Sequence, residues 1–173
     1  GGAAWAALND PSGFLWVMPS VTLAQKFARQ RWVKMLKASE PTRILIPTGA
    51  ARHDFTTLNQ MLGGSVFNFV GSNSAASLAS TPCRRVIMDE TDKFDSGGRE
   101  EADAGNLAEQ RTKDMPYPQR WKTSTPTLVD GIIWQSVLEG NLKRYFVPCP
   151  HCATPVVLAW SKQYTTLPET GSE

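Results

Sequence analysis

The chain has 173 residues, of which 41% are hydrophobic and 20% are charged, a composition typical of a globular protein with one buried core. Its formal net charge of +2 gives no bulk-charge argument for nucleic acid or a membrane surface, and no apolar run approaches the roughly 20 residues of a membrane span. Three cysteines, two of them in a Cys-x-x-Cys pair, favour a reducing compartment over a disulfide framework.

The first elements predict one β-α unit of the kind that builds parallel sheets. Residues 3–8 resemble the end of a helix, which suggests that the chain is a fragment. After a turn, the continuous apolar run Phe14–Met18 predicts a strand that ends at Pro19.

The helix that follows has two possible N-caps and one apolar stripe. Ser20 or Thr22 can cap it, and Thr22 with Gln25 fits a capping box. Glu40-Pro41 is expected to end it. The core-facing residues recur at helical spacing and are Ala24, Ala28, Trp32 and Met35 or Leu36. The basic residues of this segment predict a solvated helix face rather than a nucleic-acid patch, and they are Lys26, Arg29, Arg31, Lys34 and Lys37.

The middle of the chain predicts short strands and a loop of small residues. Residues 43–46 are predicted as a strand, and Gly63-Gly64 predicts a hairpin between strands at 57–62 and 65–70. The loop at 71–77 leads into a short helix or turn. It is either a plain connector or a segment that lies close to phosphate groups.

Two adjacent carboxylates end the next predicted strand, Arg85–Met88. In a P-loop ATPase the acid at a strand end holds the magnesium ion that bridges the nucleotide phosphates. A carboxylate beside it can act as the general base for the attacking water. Asp89 and Glu90 have this spacing, at the strand end where ligands bind in open α/β sheets. The alternative is a strand that ends in a solvated acidic turn.

A hydroxyl-bearing strand end follows about one β-α unit later. Trp121–Ser124 predicts a strand that stops before Pro126. Ser124 and Thr125 can each donate and accept a hydrogen bond, which suits a sensor of the terminal phosphate. Without the paired acids the same residues would indicate only the end of a strand.

Three of the predicted strands are expected to be central in a mostly parallel sheet, because buried parallel strands have near-continuous apolar runs. Asp89, Glu90 and Ser124 should then lie together at the carboxyl edge of that sheet. The central strands are Phe14–Met18, Arg85–Met88 and Trp121–Ser124. The remaining predicted elements are a surface loop at 92–104, helices at 106–113 and 130–140, and strands at 144–147 and 155–160.

The pair Cys149 and Cys152 has the spacing of a zinc knuckle. A structural zinc needs four ligands, and His151 is a weak third candidate on a tight turn. Cys83 is expected to be committed to the core, and His53 to be a surface residue. The chain would therefore carry half of a zinc ribbon, with the other ligands beyond residue 173. The alternative is two free thiols in a turn.

The sequence contains no Gly-x-x-x-x-Gly-Lys-Ser/Thr loop and no dinucleotide-binding glycine fingerprint. A P-loop ATPase needs the first of these to cradle the phosphates, and its expected place is just before residue 1. The chain by itself is therefore expected to be inactive.

Taken in order, several segments resemble the phage terminase large subunit of the lambda gpA type, the motor that packages DNA into procapsids. The resemblance covers nearly the whole chain, and one departure is Ala153, where that family usually has Gly. The matching segments are Asp10-Pro11 before Phe14–Ser20, Leu78–Ser80 leading into Val86–Phe94, Leu107–Lys113, Ser124–Thr127 and Arg144–Cys152.

The resemblance implies an α/β fold with an additional-strand P-loop ATPase core. Asp89 would be the magnesium-side acid, Glu90 the catalytic glutamate and Ser124-Thr125-Pro126 the coupling motif. Residues 1–142 would form a partial ATPase core and residues 143–173 the start of a zinc-ribbon-like or linker segment. The implied cofactors are ATP, Mg²⁺ and a structural Zn²⁺.

The implied partners are double-stranded DNA, the terminase small subunit, the portal and procapsid, and further copies of the same chain. The implied location is the cytoplasm of a bacterial host, without a membrane, and the nuclease domain would lie outside this chain. Nothing local separates the candidates for an arginine finger, which are Arg84, Arg85, Arg99 and Arg111.

Two other interpretations remain. Asp89-Glu90-Thr91-Asp92 fits the D-E-x-D motif of a superfamily 2 helicase, although a Cys-Pro-x-Cys pair does not usually follow at this distance. A non-catalytic, zinc-dependent DNA-binding module would also account for the cysteines. A phosphate-loop lysine upstream would exclude that purely binding role.

Overall fold

A five-stranded, mostly parallel sheet with the strand order β2-β3-β1-β4-β5 organises the structure, which is a computed structural model. β1 pairs in parallel with β3 and β4, and β4 pairs in parallel with β5. β2 is antiparallel to β3 through the predicted Gly63-Gly64 hairpin, which is confirmed. The strands are β1 Gly13–Met18, β2 Asn59–Leu62, β3 Ser65–Gly71, β4 Arg85–Asp89 and β5 Gln119–Thr123.

The structure describes residues 2–94, 103–141, 143 and 145–157. Arg99, most of the predicted loop at 92–104 and the last residues of the predicted strand at 155–160 lie outside these ranges. The chain divides into two compact units, residues 1–136 and 137–173. The sheet belongs to the first unit, whereas the predicted boundary after residue 142 stays a prediction.

Helices and short helical turns connect the strands. The α-helices are α1 Gly2–Asn9, α2 Val21–Phe27, α3 Val33–Ala38, α4 Glu40–Arg43, α5 Ala75–Ala79, α6 Ala104–Gln110 and α7 Ile132–Glu139. A π turn at Ala28–Trp32 joins α2 to α3, and 3₁₀ turns occupy Gly49–Asp54 and Thr91–Lys93. The second unit contains the antiparallel hairpin of β6 Phe146–Pro148 and β7 Pro155–Val157. In the described part of the chain, no helix has the length and apolar character needed to span a membrane.

The sheet is covered on both faces, as its apolar strands predict. On one face, Phe14 of β1 stacks on Phe67 of β3 with ring centroids 4.2 Å apart, and both belong to the core under α1, α2 and α3. On the other face, Leu15 of β1 and Val86 of β4 pack in the core that includes Ala108 of α6. β1 and β4 are therefore inner strands with two buried faces, as predicted.

β5 differs from the prediction that it is a central strand, because it forms one edge of the described sheet. Four of its five residues are exposed, including Trp121, whose relative exposure is 37%. An apolar residue cannot by itself show whether a strand has one neighbour or two, since pairing is a property of the whole sheet.

The start of α2 corrects the predicted capping box. Ser20 is the N-cap, and its Oγ accepts a hydrogen bond from the backbone N–H of Leu23 at 3.3 Å. Thr22 lies inside the helix, so its pairing with Gln25 is not a cap. The predicted core stripe is confirmed, with Leu36 rather than Met35 in the buried position.

The predicted strand at 43–46 is wrong, because α4 and a turn occupy this region. Ser39 is the N-cap of α4, and Pro41 lies in its first turn. Proline is tolerated there because the first N–H groups of a helix have no intrahelical partner. The apolar residues Ile44 and Ile46 suggested a strand, but Pro41 starts a new helix instead.

An ion pair between the buried Arg85 and the partly exposed Asp10 fixes the amino-terminal end of β4. The side chain of Arg85 is only 1% exposed, and its guanidinium pairs with Asp10 between α1 and β1. Arg85 also donates to the backbone oxygen of Asp10 and to Gln119 Oε1, both at 2.7 Å. Arg84 pairs with the other oxygen of Asp10 at 2.7 Å, and these two arginines lower the pKa of the Asp10 carboxyl. One carboxylate thus holds the start of β4 against the start of β1.

Candidate functional site

Asp89 ends β4 at the carboxyl edge of the sheet, and its partner is on β5. In the strand register Asp89 lies opposite Thr123, and Thr123 Oγ1 donates to Asp89 Oδ1 at 2.7 Å. Thr123 was not among the residues predicted for the site. The sequence indicates only that Thr123 stands near the end of a strand. It does not give the strand register, which is what places Thr123 beside Asp89.

Glu90 follows in a left-handed conformation, with φ 60° and ψ 47°. A residue other than glycine is rare there, and such strain concentrates at functional sites. Glu90 Oε2 forms an ion pair with Lys93 Nζ at 2.9 Å across the 3₁₀ turn. The strained backbone turns the chain sharply after Asp89, so two adjacent carboxylates line one cleft instead of alternating across a strand.

The acid cleft, which we define as the cavity of about 270 Å³ lined by Asp89 and Glu90, has basic residues on its other wall. Lys26 and Arg31 line it from α2 and the π turn, and Lys93 lines it beside the acids. π turns inside α-helices occur frequently at functional sites. The prediction that Lys26 and Arg31 are solvent-exposed is confirmed, and the structure adds that both border the acids.

Ser124 lies at the same end of the sheet as Asp89, as predicted, but its contact is with the turn after the acids. Its Oγ accepts a hydrogen bond from the backbone N–H of Asp92 at 3.1 Å. Thr125 is exposed, and its backbone oxygen accepts from Ser124 Oγ at 3.3 Å. The hydroxyl that touches Asp89 is therefore that of Thr123, the residue before Ser124.

Three of the arginine-finger candidates lie near the start of β4, the end of the strand away from this cleft. Arg85 begins the strand and Asp89 ends it, a separation of about 13 Å at 3.3 Å per residue. Arg84 precedes Arg85 and is paired with Asp10. Arg111 donates to the backbone oxygen of Ala79 at 2.8 Å and accepts, through its own backbone oxygen, from the amide of Cys83, near the start of β4.

The cysteine pair lies in the turn of the β6–β7 hairpin. The backbone N–H of Cys149 donates to Thr154 O, and that of Ala153 donates to Cys149 O, both at 2.9 Å. Ala153 has φ 57°, a left-handed conformation that favours glycine. The Thr154 hydroxyl lies 3.4 Å from Cys152 Sγ, and hydrogen bonds to Thr154 and then to Cys149 lower the pKa of the Cys152 thiol.

Within the described residues, no group of three or more His, Cys, Asp or Glu side chains could hold a metal ion. A structural zinc has four protein ligands, so the two thiols of Cys149 and Cys152 do not by themselves complete such a site. Cys83 is buried, and burial raises the pKa of its thiol to about 11. The expectation that Cys83 belongs to the core is confirmed.

The fold and the site define a mostly parallel α/β protein with paired acids and a hydroxyl at the carboxyl edge of its sheet. Over residues 3–171 the chain matches the family described as phage terminase large subunit gpA, ATPase domain. The chain belongs to this family, and the resemblance inferred from the sequence is confirmed. Comparison with curated proteins gives no match.

Proposed function

We propose that this chain is part of a motor domain that couples ATP hydrolysis to the translocation of DNA during phage packaging. One observation supports this most directly: Asp89 and Glu90 line one cleft at the carboxyl edge of the sheet, in a chain of the terminase ATPase family. Ligands bind at this edge in open α/β sheets. The family assignment favours this function over a superfamily 2 helicase.

Asp89 fits the role of the magnesium-side acid. Mg²⁺ prefers oxygen ligands and is usually bound by one or two carboxylates together with substrate phosphates. Thr123 donates to Oδ1 of Asp89, which orients the carboxylate and leaves its second oxygen for the ion. When bound, Mg²⁺ neutralises charge on the transferred phosphoryl group.

Glu90 is the proposed general base for the attacking water. Its carboxylate lines the acid cleft, and although the Oε2 atom is itself buried, the side chains of Glu90 and Lys93 that form the ion pair are both partly exposed. We propose that Glu90 exchanges Lys93 for a water molecule when the nucleotide is bound, because ion pairs between partly exposed side chains are weak. Ser124, on the turn next to Asp92, is the proposed sensor of the nucleotide state.

We infer that the phosphate-binding loop comes from residues that precede α1. An apolar cleft of about 480 Å³ is lined by Gly2 and Ala3 at the start of α1 and by Thr123 beside Asp89. Trp16 and Trp121 also line it. A helix that extended α1 in the amino-terminal direction would enter this cleft and bring its own amino terminus towards Asp89. Helix amino termini are ready-made phosphate sites.

The 173-residue chain alone is expected to show no hydrolysis of Mg-ATP above background, and extension through the preceding segment should restore it. The reason is that backbone amides and a lysine of the phosphate loop make most of the phosphate contacts. The measurement is phosphate release with and without double-stranded DNA, which should stimulate the extended protein. Alanine at the loop lysine is the control. Hydrolysis by the 173-residue chain that survives Glu90→Gln would contradict the proposal.

The partners follow from the same proposal. We propose that the complete protein acts in the cytoplasm of a bacterial host, on double-stranded DNA, as a homo-oligomer that contacts the terminase small subunit and the portal of the procapsid. Nucleotide-driven translocation into a procapsid requires each of these contacts, and this chain would contribute the acidic half of the nucleotide site.

We also propose that Cys149 and Cys152 are two ligands of a structural zinc completed by residues beyond position 173. The two thiols flank a tight turn in a two-stranded hairpin, and the backbone bonds between Cys149 and Thr154 close that turn. A small hairpin of three-residue strands has little apolar surface of its own, so a metal would supply folding free energy there.

A protein extended beyond residue 173 is expected to hold about one zinc ion per protomer, whereas the present chain should bind zinc weakly. Cys149→Ser should lose the metal, and elemental analysis of the purified protein measures it. Cys83→Ser is the matched control and should keep the zinc, because Cys83 is buried in the core under the sheet. An extended protein that is metal-free, with both hairpin thiols reactive, would show that the pair is only a turn.

A further inference from the structure

The carboxylate of Asp92 holds two segments that follow β5. Its Oδ1 accepts a hydrogen bond from the backbone N–H of Ile133 at 2.8 Å. Its Oδ2 accepts from the backbone N–H of Thr127 at 3.0 Å and from Thr127 Oγ1 at 3.3 Å. Ile133 is the second residue of α7, and Thr127 follows the Ser124-Thr125-Pro126 motif. One side chain therefore ties the turn after β4 both to the proposed coupling motif and to the start of α7.

The connection also runs through the backbone of Asp92, whose N–H donates to Ser124 Oγ at 3.1 Å. In the turn after β4, the backbone N–H of Asp92 thus donates to Ser124, and the carboxylate of Asp92 accepts from Thr127. Because these bonds lie on both sides of Pro126, residues 124–127 cannot move far from the 3₁₀ turn at Thr91–Lys93 without breaking them.

Gly131 marks how closely the next segment approaches this carboxylate. A Cβ atom at Gly131 would collide with Asp92 Oδ2 and would lie 3.0 Å from its Cγ. Leu128 O accepts a hydrogen bond from the Gly131 N–H at 3.1 Å, which closes the turn that leads into α7. A larger residue at 131 would push the carboxylate away from its three donors.

We propose, on the basis of the ATPase function proposed above, that Asp92 is a positioning residue that links the nucleotide-dependent state of Glu90 to the position of α7. Glu90 and Asp92 lie on the same short turn, and Lys93 at its end is ion-paired with Glu90. A change at Glu90 on phosphate release therefore moves Asp92, and with it the amides of Thr127 and Ile133. The chain passes from the first compact unit into the second within α7, at Val137.

The charge of Asp92 suits this role. Hydrogen bonds from the backbone of Ile133 and then of Thr127 lower the pKa of the Asp92 carboxyl, so the group is anionic at neutral pH. Charge-assisted hydrogen bonds are roughly twice as strong as neutral ones. Asparagine at this position would keep one acceptor oxygen but would replace the other with a donor that faces N–H groups.

The test is Asp92→Asn in the complete packaging protein, with the rates of ATP hydrolysis and of DNA translocation measured in parallel. We expect hydrolysis close to wild type and about a tenfold fall in the length of DNA moved per ATP, the order of magnitude by which two coupled binding sites alter each other's affinity. Gly131→Ala should reproduce this uncoupling, because its Cβ displaces the same carboxylate. Asp114→Asn, at an exposed carboxylate, is the matched control and should leave both rates unchanged.

Amide hydrogen exchange separates this role from a merely structural one. In the wild-type protein, a non-hydrolysable ATP analogue should change the exchange rate at Ile133. In Asp92→Asn, exchange near Asp89 should still respond to the analogue while Ile133 does not. The coupling role would be refuted if Asp92→Asn lowered hydrolysis and translocation equally. It would also be refuted if the analogue changed exchange at Ile133 in Asp92→Asn as much as in the wild type. A wild-type protein that hydrolyses no ATP would instead refute the proposed function.

Discussion

Glu90→Gln is expected to remove ATP turnover from a protein that has its phosphate-binding loop, while nucleotide binding stays intact. Glutamine keeps the size of the side chain but cannot accept a proton from water, and general-base catalysis typically contributes about 10²- to 10⁴-fold in rate. We therefore expect the turnover rate to fall by about this factor. Phosphate release measures the turnover, and fluorescence titration with an ATP analogue measures the binding.

Glu40→Gln is the matched control for this experiment. Glu40 is an exposed acid in the first turn of α4, away from the carboxyl edge of the sheet, and its replacement should leave turnover unchanged. If Glu90→Gln weakens nucleotide binding as much as it slows turnover, the residue holds the nucleotide and another group is the base. A variant with wild-type turnover would show that the chemistry lies outside the acid cleft.

Asp10→Ala is expected to be the most destabilising single change at the amino-terminal end of the sheet. It leaves the guanidinium of Arg85, which is only 1% exposed, without its carboxylate, and an uncompensated buried charge is strongly destabilising. Urea unfolding of the 173-residue chain measures the loss, with Asp114→Ala as the control for removal of an exposed carboxylate. The double variant with Arg85→Met should recover part of the stability, because neither charge then remains.

The same ion pair predicts how stability depends on pH. The pKa of Asp10 is lowered in the folded protein, first by its hydrogen bonds to Arg84 and Arg85. The stabilisation is therefore complete above the ordinary Asp pKa of about 3.9 and is lost as the pH falls towards the lowered value. The free energy of unfolding should decline more steeply below pH 4 in the wild type than in Asp10→Ala. Equal slopes would contradict the role of this pair.

The sequence predicts the inner part of the fold well because two strands carry their own signal. β1 and β4 are nearly continuous apolar runs, which only a strand covered on both faces requires. The ends of such strands are also where polar groups meet, so the location of Asp89 and Glu90 could be inferred without knowing the strand order. The left-handed backbone conformation of Glu90 could not be inferred, since nothing in a glutamate residue indicates a positive φ.

The sequence predicts less about contacts that depend on register. Thr123 rather than Ser124 bonds to Asp89, because the parallel register pairs Asp89 with Thr123. If β5 were shifted by one residue relative to β4, Ser124 would lie opposite Asp89 instead of Thr123. Strand register is set by packing across the whole sheet. The three donors that converge on Asp92 come from residues 35 and 41 positions away, a distance over which local patterns carry no information.

Among the described residues β5 is an edge strand, and this position has a consequence for how the chain behaves as a separate molecule. An edge strand presents unpaired backbone groups to which a second chain can add, the usual route to aggregation. β5 carries Arg120 and Lys122, both directed at Glu109 of α6 with nitrogen–oxygen distances of 3.9 and 2.9 Å. Two copies that met edge to edge would bring these cations together. The positive charges of Arg120 and Lys122 therefore disfavour pairing of β5 with the β5 strand of a second copy. They do not prevent a further strand of the same polypeptide from pairing with this edge.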